Sequence, residues 1–261
     1  MLRLQLEGKV AVVTGAGRGI GRAIALGYAR EGAAIAAVSR TVEQLDSLIS
    51  EVKALGPHAF AFPADLTDST VPERLVSEVI QKLGGLDILV NNAGIGTAQS
   101  PRTVKEFDDD YWSLTLQLNL TVPYLLCKAV LPAFLEKRTG RIINIASVAG
   151  KVGIVNGVAY TASKHGLLGL TRALATEVAS CGITVNAICP GPVRSVMNDQ
   201  RMRHDAERLG ISLEALESRI TPIGRRLEPE EMVPMAVLLA SDGSAGITGQ
   251  AFNICGGLAM F

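Results

Sequence analysis

TGAGRGIGRA, residues 14–23, is the stretch that decides the fold, because it lies between an apolar run and a helical one. KVAVVTG at 9–15 has the continuous apolar pattern of a buried strand, and residues 19–31 have helical periodicity. Glycines between a strand and a helix let the backbone approach a phosphate, which the helix amino terminus attracts through its N–H groups and dipole. The stretch therefore predicts a phosphate-binding turn in an α/β domain.

The glycines do not follow the dinucleotide pattern GxGxxG, because after Gly15 and Gly17 the third position is Ile20. The pattern present is TGxxxGxG, with Gly15, Gly19 and Gly21. Gly15 permits a tight exit from the strand, Gly19 permits close approach of a pyrophosphate, and Gly21 permits close packing of helix and sheet. A merely flexible turn is the alternative, and the order of strand, glycines and helix favours the nucleotide site.

Outward from this turn, short apolar runs alternate with longer helical stretches along the chain. Further strands are predicted at 33–40, 58–64, 86–94, 141–147, 183–191 and 250–257. Further helices are predicted at 41–55, from about 68, at 108–137 with a bend at Pro123, at 157–180 and at 228–240. Apolar strands alternating with helices indicate a parallel sheet covered on both faces. We expect one α/β domain over residues 1–261, a doubly wound Rossmann-type sheet of about seven strands.

Composition excludes several classes of partner. Lysine plus arginine equals aspartate plus glutamate, 25 each, so no net field attracts nucleic acid or an anionic membrane. The beginning MLRLQLEGKV lacks the apolar core of a signal peptide, and no run reaches the roughly 18 apolar residues of a membrane span. The four cysteines lack CxxC spacing and the three histidines are scattered, which argues against a metal site. We expect a cytoplasmic protein.

The end of the second strand indicates the cofactor. NAD-binding domains usually have an acidic residue there for the ribose 2′-hydroxyl. Here the strand ends AVSR, with Ser39 and Arg40, and the next carboxylate is Glu43. A guanidinium would bind a 2′-phosphate, and Arg18 in the glycine turn could flank it. NADP(H) is therefore preferred; the alternative is a solvated Arg40 and NAD(H) bound through backbone contacts.

More motifs follow in order: NNAG at 91–94, Asn119, Ser147, YxxxK at 160–164 and PG at 190–191. With them the chain resembles the short-chain dehydrogenase/reductase family over nearly its whole length. The resemblance implies an NAD(P)-dependent oxidoreductase acting on CH–OH or C=O groups, without a metal. It implies four catalytic residues: Asn119, Ser147, Tyr160 and Lys164. Together with the turn and strand residues above, the implied cofactor-binding residues are Gly15, Gly17, Arg18, Gly19, Ile20, Gly21, Ser39, Arg40, Asp65, Leu66, Asn92, Ala93, Gly94, Tyr160, Lys164, Pro190, Gly191, Val193 and Ser195.

The resemblance also implies individual roles. Asp65 and Leu66 would border the adenine and Asn92 the nearby ribose, while Val193 and Ser195 would face the nicotinamide carboxamide. The family commonly has threonine where Ser195 stands, which keeps the hydroxyl. Plainer interpretations remain for three polar residues: Asn91 connects strands, Asn119 bonds its own helix backbone, and Ser147 is a strand-end hydroxyl.

Tyr160 and Lys164 are four residues apart, so they are neighbours on one face of a helix. A free phenol has a pKa near ~10, and we expect the Lys164 ammonium to lower the pKa of Tyr160. The resemblance implies that Tyr160 protonates the carbonyl oxygen in reduction and that Ser147 polarises it. Lys164 would also bind the nicotinamide ribose, and Asn119 would hold a water that leads to Lys164.

The segment after PG, at about 192–225, has helical periodicity and many charges, and we expect a substrate lid. Its arginines would meet an acidic carrier or a coenzyme phosphate, or form a solvated helix face with Asp205 and Glu207. These arginines are Arg194, Arg201, Arg203 and Arg208.

Local sequence indicates the substrate class. Residues 147–166 and 253–261 are similar to 3-oxoacyl thioester reductases, whereas the lid and GRRLEPEEM at 224–232 are similar to 3-hydroxybutyrate dehydrogenases. The second group grips a small carboxylate with glutamine, histidine and lysine, where this chain has Gly96, Ala149 and Gly157. We therefore favour NADPH-dependent reduction of a 3-oxoacyl thioester, which could be carrier- or CoA-linked.

Two other functions stay open: a dehydrogenase of a hydrophobic or cyclic secondary alcohol or small hydroxy acid, and a non-catalytic nucleotide sensor. Four apolar residues would line the pocket or pack between subunits: Val152, Ile154, Val155 and Val158. By analogy with the family we expect a homotetramer, with the helices at 108–138 and 157–180 at its interface.

Overall fold

The computed structural model describes residues 4–97 and 101–261. Seven strands form one sheet in the order β3-β2-β1-β4-β5-β6-β7, and every pairing is parallel. The strands are β1 (Val10–Thr14), β2 (Ala34–Ser39), β3 (Ala59–Pro63), β4 (Ile88–Asn91), β5 (Gly140–Ile145), β6 (Ile183–Pro190) and β7 (Ala251–Ile254). This is the doubly wound Rossmann-type sheet that the sequence predicts.

The helices connect consecutive strands. They are α1 (Gly19–Arg30), α2 (Val42–Ala54), α3 (Val71–Leu83), α4 (Asp109–Leu116), α5 (Val122–Lys137), α6 (Val158–Val178), α7 (Val196–Leu209), α8 (Leu213–Glu217) and α9 (Val233–Ala240). Each predicted strand and helix coincides with an observed one to within a few residues. The predicted lid segment contains α7 and α8.

Both faces of the sheet are buried, which explains the continuous apolar strands. Alternate residues of β1 point to opposite faces, so Ala11 and Val13 enter one core and Val10 and Val12 the other. The first core contains residues of α1, α2 and α9, and the second contains residues of α3, α5 and α6. Helices therefore cover both faces, and the carboxyl ends of the strands remain as the edge where ligands bind.

The long helical stretch has an irregularity, but not at the position predicted from the sequence. We expected a bend at Pro123, but residues Gln117–Thr121 form a turn of π-helix between α4 and α5. Pro123 lies in the first turn of α5, directly after the π turn, and its missing N–H removes one hydrogen bond from the continuous helical stretch Asp109–Lys137. The irregular turn contains Asn119, and such π turns occur frequently at functional sites.

The stretch Asp109–Lys137 also meets the length and composition of a membrane-crossing helix, although it lacks a long uninterrupted apolar run. In this fold Val122, Leu126, Val130 and Phe134 of α5 are buried in the core beneath the sheet. The apolar composition therefore serves packing against the strands.

Candidate active site

The predicted site residues meet at the carboxyl edge of β1, β2, β4, β5 and β6. The strand order reverses between β1 and β4, because β1 continues to β2 on one side and lies next to β4 on the other. At such a reversal the loops from neighbouring strands diverge and leave a crevice. The glycine turn after β1 and the NNAG segment after β4 lie on its two sides.

Asn92 fixes the conformation of the glycine turn. Its Nδ2 donates hydrogen bonds to the carbonyls of Thr14, at 2.9 Å, and Gly15, at 3.2 Å. Gly15 has φ +63° and Gly19 has φ +57°, both in the left-handed region that favours glycine. A Cβ on Gly21 would lie 2.4 Å from both Asn92 Nδ2 and the Gly15 carbonyl oxygen. Any side chain at position 21 would therefore displace the turn.

Thr14 is a structural contributor that we did not single out in the sequence. Its Oγ1 is buried, donates to the Val90 carbonyl at 3.2 Å, and accepts from the N–H groups of Asn92 at 2.9 Å and Ala93 at 3.0 Å. These bonds join the end of β1 to the end of β4. The one feature of the sequence that points to Thr14 is its position as the first residue of the TGxxxGxG motif.

The amino terminus of α1 has the open space that a phosphate requires. Among the residues that the structure describes, a Cβ on Gly19 would come within 4 Å of Ser195 alone, whose Cβ is 4.0 Å away. No side chain caps α1, whose N-cap residue is Arg18, and the Arg18 side chain is exposed. Free N–H groups, a helix dipole and a nearby guanidinium are the features that bind phosphate, so these residues fit a dinucleotide.

The end of β2 presents the groups predicted to select the cofactor. Arg40 is exposed and forms no ion pair within the described ranges 4–97 and 101–261. Asp65 accepts hydrogen bonds from Thr67 N and Oγ1, which lower the pKa of its carboxyl, and the charge of Arg40 lowers it further. A Cβ on Gly17 would lie 2.6 Å from Gln44 Oε1 and 3.1 Å from Ser39 Oγ. Gln44 therefore belongs to this corner, although no motif in the sequence indicates it.

Ser147, Tyr160 and Lys164 come together on the other side of the crevice. Ser147 lies just beyond β5, and its Oγ accepts a 3.1 Å hydrogen bond from Ala149 N. Tyr160 and Lys164 lie on α6, with Lys164 Nζ 5.6 Å from the centre of the Tyr160 ring. Lys164 Nζ donates a 2.8 Å hydrogen bond to the Ile145 carbonyl at the end of β5. Helical spacing therefore produces the predicted pair.

Burial decides the protonation of this pair. It raises the pKa of Tyr160, with the Ser147 hydrogen bond acting in the opposite direction. Burial also lowers the pKa of Lys164 to about 8. We expected the ammonium to lower the pKa of the phenol, and that expectation is wrong for this structure, because removal from water opposes ionisation of both groups. Tyr160 is accordingly a protonated phenol at neutral pH.

Asn119 connects the exit of β4 to α6. Its Nδ2 donates to the Ile95 carbonyl at 2.9 Å and to Ser163 Oγ at 3.1 Å, and its Oδ1 accepts from Ile95 N at 2.9 Å. Ser163 Oγ in turn donates to the Tyr160 carbonyl at 2.8 Å. The carboxamide therefore bonds no backbone group of its own helix, and its contact with α6 is Ser163, the residue before Lys164. Ser163, which we had not singled out, completes the connection.

Asn91 connects strands, as the plainer interpretation predicted. Its Nδ2 donates to Asn144 Oδ1 at 2.9 Å, and Asn144 Nδ2 donates to Thr171 Oγ1 on α6 at 2.9 Å. This buried amide chain links β4, β5 and α6. Asn91 is therefore part of the support beneath the site.

The segment after β6 closes the crevice. Pro190 ends β6, and a Cβ on Gly191 would lie 2.8 Å from Cys255 Cα, so the chain passes close to β7 here. Val193 is buried and forms an isolated parallel bridge with Leu227. Ser195 caps α7, its Oγ accepting a 3.2 Å hydrogen bond from Asn198 N. Ser195 thus faces both the lid helix and Gly19.

A cavity of about 610 Å³ lies against another side of α6. Its lining includes Arg102, Val104, Thr161 and His165 but neither Ser147 nor Tyr160. Of the four predicted wall residues, Ile154 and Val158 line it. It is thus separate from the side of α6 that carries Tyr160.

The chain matches known proteins over nearly its whole length. A 3-oxoacyl-[acyl-carrier-protein] reductase of Thermotoga maritima is 37% identical over 257 residues, covering 98% of this chain and 100% of the relative. A crystal structure of an actinorhodin polyketide ketoreductase variant with NADPH is 40% identical, covers 97% and 98% of the two chains, and superposes with a TM-score of 0.90. An NAD⁺-bound xylitol dehydrogenase is 31% identical, covers 97% and 100%, and also has a TM-score of 0.90.

The sequence profile of the short chain dehydrogenase family matches residues 9–206. That range contains the glycine turn, the NNAG segment, Ser147 and the Tyr160–Lys164 pair. The chain is an oxidoreductase, and it belongs to the short-chain dehydrogenase family.

Proposed function

We propose that this protein is an NADPH-dependent ketoreductase whose substrate is a 3-oxoacyl thioester. The observation that carries the proposal is a half-buried, protonated Tyr160 phenol beside Ser147 and Lys164, across a crevice from a phosphate-binding glycine turn. An acid at that position can donate a proton to a ketone oxygen next to a nicotinamide ring.

The dinucleotide would bind along the glycine turn and across the crevice. Phosphates would contact residues 15–21 at the start of α1, with Ser39, Arg40 and Arg18 around the 2′-phosphate. Asp65 and Leu66 would border the adenine. The rest of the dinucleotide would contact residues 92–94, 190–191, 193 and 195. The relative with NADPH supports the phosphorylated cofactor, and the NAD⁺-bound xylitol dehydrogenase keeps NAD(H) as the alternative.

The dinucleotide, when bound, supplies the hydride. Tyr160 donates its phenolic proton to the carbonyl oxygen, which develops negative charge as the ketone is reduced. Ser147 Oγ accepts from Ala149 N, and its own proton, which faces the Tyr160 phenol, would bond the same oxygen when a ketone is present. Lys164 orients the phenol from beneath, and Asn119 fixes α6 to the end of β4 through Ser163 and Ile95.

The cleft favours a ketone without a free carboxylate at the reacting end. A Cβ on Gly96 would lie 2.6 Å from Met197 Sδ, and one on Gly157 would lie 2.4 Å from Ile154 Cγ1. Larger polar side chains at Gly96 and Gly157 would displace Met197 of the lid or Ile154 of the loop. The side chains that bind a small carboxylate in 3-hydroxybutyrate dehydrogenases therefore have no space here. The 3-oxoacyl-[acyl-carrier-protein] reductase relative supports a thioester, and α7 and α8 would cover it as a lid within a single domain.

Two alternatives have weaker support. The xylitol dehydrogenase relative favours oxidation of a secondary alcohol, for which the same proton path would run in reverse. A nucleotide sensor without turnover would be expected to lack part of the catalytic set, and this chain keeps Asn119, Ser147, Tyr160 and Lys164.

We further propose a cytoplasmic homotetramer. Leu114, Tyr124 and Leu135 are large apolar side chains exposed on α4 and α5, which supports subunit contacts through these helices and α6. The four cysteines are free, as in proteins of a reducing compartment. Light scattering that gave a monomer mass would contradict the assembly.

The substrate proposal is tested by following NADPH absorbance with a substrate panel: a 3-oxoacyl thioester, a bicyclic ketone, and acetoacetate. We expect the highest kcat/KM for the thioester. Turnover of acetoacetate alone would contradict the substrate class, and binding of NADPH without any turnover would support the sensor.

A further inference from the structure

Arg201 of α7 makes three hydrogen bonds that no other lid arginine makes. Its Nη1 donates to Thr97 Oγ1 at 2.9 Å, its Nη2 to the Val155 carbonyl at 2.7 Å, and its Nε to Asp205 at 2.7 Å. The side chains of Arg201 and Asp205 are both only 15% exposed. The expected solvated helix face is therefore wrong for Arg201.

The two acceptors outside the lid belong to two different segments of the chain. Thr97 follows the NNAG segment after β4, and Val155 lies in the loop between Ser147 and Tyr160. A Cβ on Gly157, three residues before Tyr160, would lie 3.0 Å from Thr97 Cγ2. One guanidinium thus fastens α7 to both segments, which also pack against each other.

The base of α7 is fixed independently of Arg201. Arg226, whose side chain is 10% exposed, pairs with Asp199 on α7 and with Glu217 on α8. Arg194 pairs with Glu217 and Glu228. Loss of Arg201 would therefore free the cleft side of the helix while these ion pairs keep its base in place.

We infer that Arg201 is a specificity-determining residue that limits the size of the ketone reaching Tyr160. This inference rests on the proposed function. A small ketone passes beneath the Arg201 bonds, whereas a bulky one must break the bonds to Thr97 and Val155. Hydrogen bonds from a charged donor are worth more than neutral ones, so opening disfavours bulky substrates by roughly 10-fold.

A neighbouring arginine provides a matched control. Arg203 lies on the same helix, is exposed, and has no ion pair or side-chain hydrogen bond among residues 4–97 and 101–261. Arg201→Gln and Arg203→Gln remove the same charge from one helix. Asp205 keeps Arg208 as a partner at 3.4 Å when Arg201 is replaced.

The first test is amide hydrogen exchange of α7, which requires no substrate. We expect Arg201→Gln to speed exchange of residues 196–209 about 10-fold and Arg203→Gln to leave it unchanged. Thr97→Val removes one acceptor and keeps the side-chain shape, so it should give a smaller increase and should add little to Arg201→Gln. If α7 exchanges its amide hydrogens at the same rate in wild type, Arg201→Gln and Thr97→Val, the inference is overturned. If Arg201→Gln does not fold, Thr97→Val and Arg201→Lys carry the same test.

The second test compares kcat/KM for a four-carbon 3-oxoacyl thioester and a bicyclic ketone. In Arg201→Gln the kcat/KM for the bicyclic ketone, divided by that for the four-carbon thioester, should rise about 10-fold. The KM for NADPH should stay unchanged, and Arg203→Gln should give the wild-type ratio. An unchanged ratio despite faster exchange would overturn the role in specificity. If wild type reduces neither ketone the proposed function fails, and the exchange experiment still decides whether Arg201 closes the helix over the cleft.

Discussion

The Lys164 ammonium lies 5.6 Å from the centre of the Tyr160 ring and donates a 2.8 Å hydrogen bond to the Ile145 carbonyl. The amine is therefore fixed between α6 and the end of β5, with the phenol above it. Because desolvation disfavours the charged form of each group, the phenol stays protonated and the ammonium loses its proton more easily than that of a free lysine. The Tyr160 phenol is thus available as a proton donor at neutral pH, and no histidine is required.

The lowered pKa of Lys164 has a consequence for stability. The unfolded chain keeps this lysine protonated up to about pH 10.4, whereas the folded protein releases the proton near pH 8. Between those values the unfolded state binds more protons, so folded stability rises with pH. Relative to Lys164→Met, the wild-type free energy of unfolding should rise by roughly 2 to 3 kcal/mol from pH 8 to 10.5. Urea denaturation across that range measures it, and a constant difference would contradict the buried, shifted amine.

Asn119 should matter for stability as well as activity. Asn119→Ala removes three buried hydrogen bonds and leaves the N–H and C=O of Ile95 without partners, which should cost about 2–4 kcal/mol. Ser163→Ala removes one of those bonds and should cost about 1 kcal/mol. Chemical denaturation compares the two. If Asn119→Ala and Ser163→Ala lower the free energy of unfolding equally, the hydrogen bonds between Asn119 and Ile95 contribute nothing to stability.

Arg40 should select the cofactor. Arg40→Asp places a carboxylate where a 2′-phosphate would bind, so the NADPH to NADH ratio of kcat/KM should fall at least roughly 10-fold. Arg30→Asp makes the same charge change at the far end of α1 and should leave the ratio unaltered. An unaltered ratio in Arg40→Asp would place the phosphate elsewhere.

The sequence predicted the sheet because each strand is a mainly apolar run and each crossover has helical periodicity. It predicted the Tyr160–Lys164 pair because four residues make one helical turn. It could not predict the partners of Asn119, since Ile95 and Ser163 meet it only through the tertiary fold. The direction of the Tyr160 pKa was missed for the same reason, because burial, which dominates, is a property of the folded chain.

Arg201 illustrates the same limit. Its spacing from Asp205 indicates an exposed ion pair on one helix, whereas the contacts with Thr97 and Val155 come from segments about 100 and 46 residues away. The π turn at Gln117–Thr121 likewise has no compositional sign except the proline that follows it.

Reduction of a 3-oxoacyl thioester by wild type and Tyr160→Phe, followed by NADPH absorbance, tests the central claim most directly. Tyr124→Phe, an exposed phenol on α5, is the control. We predict that Tyr160→Phe lowers kcat by roughly 10²-fold or more, measured at saturating NADPH, and that Tyr124→Phe keeps the wild-type rate. Near wild-type turnover in Tyr160→Phe would contradict the account, because the ketone oxygen would then take its proton from another group.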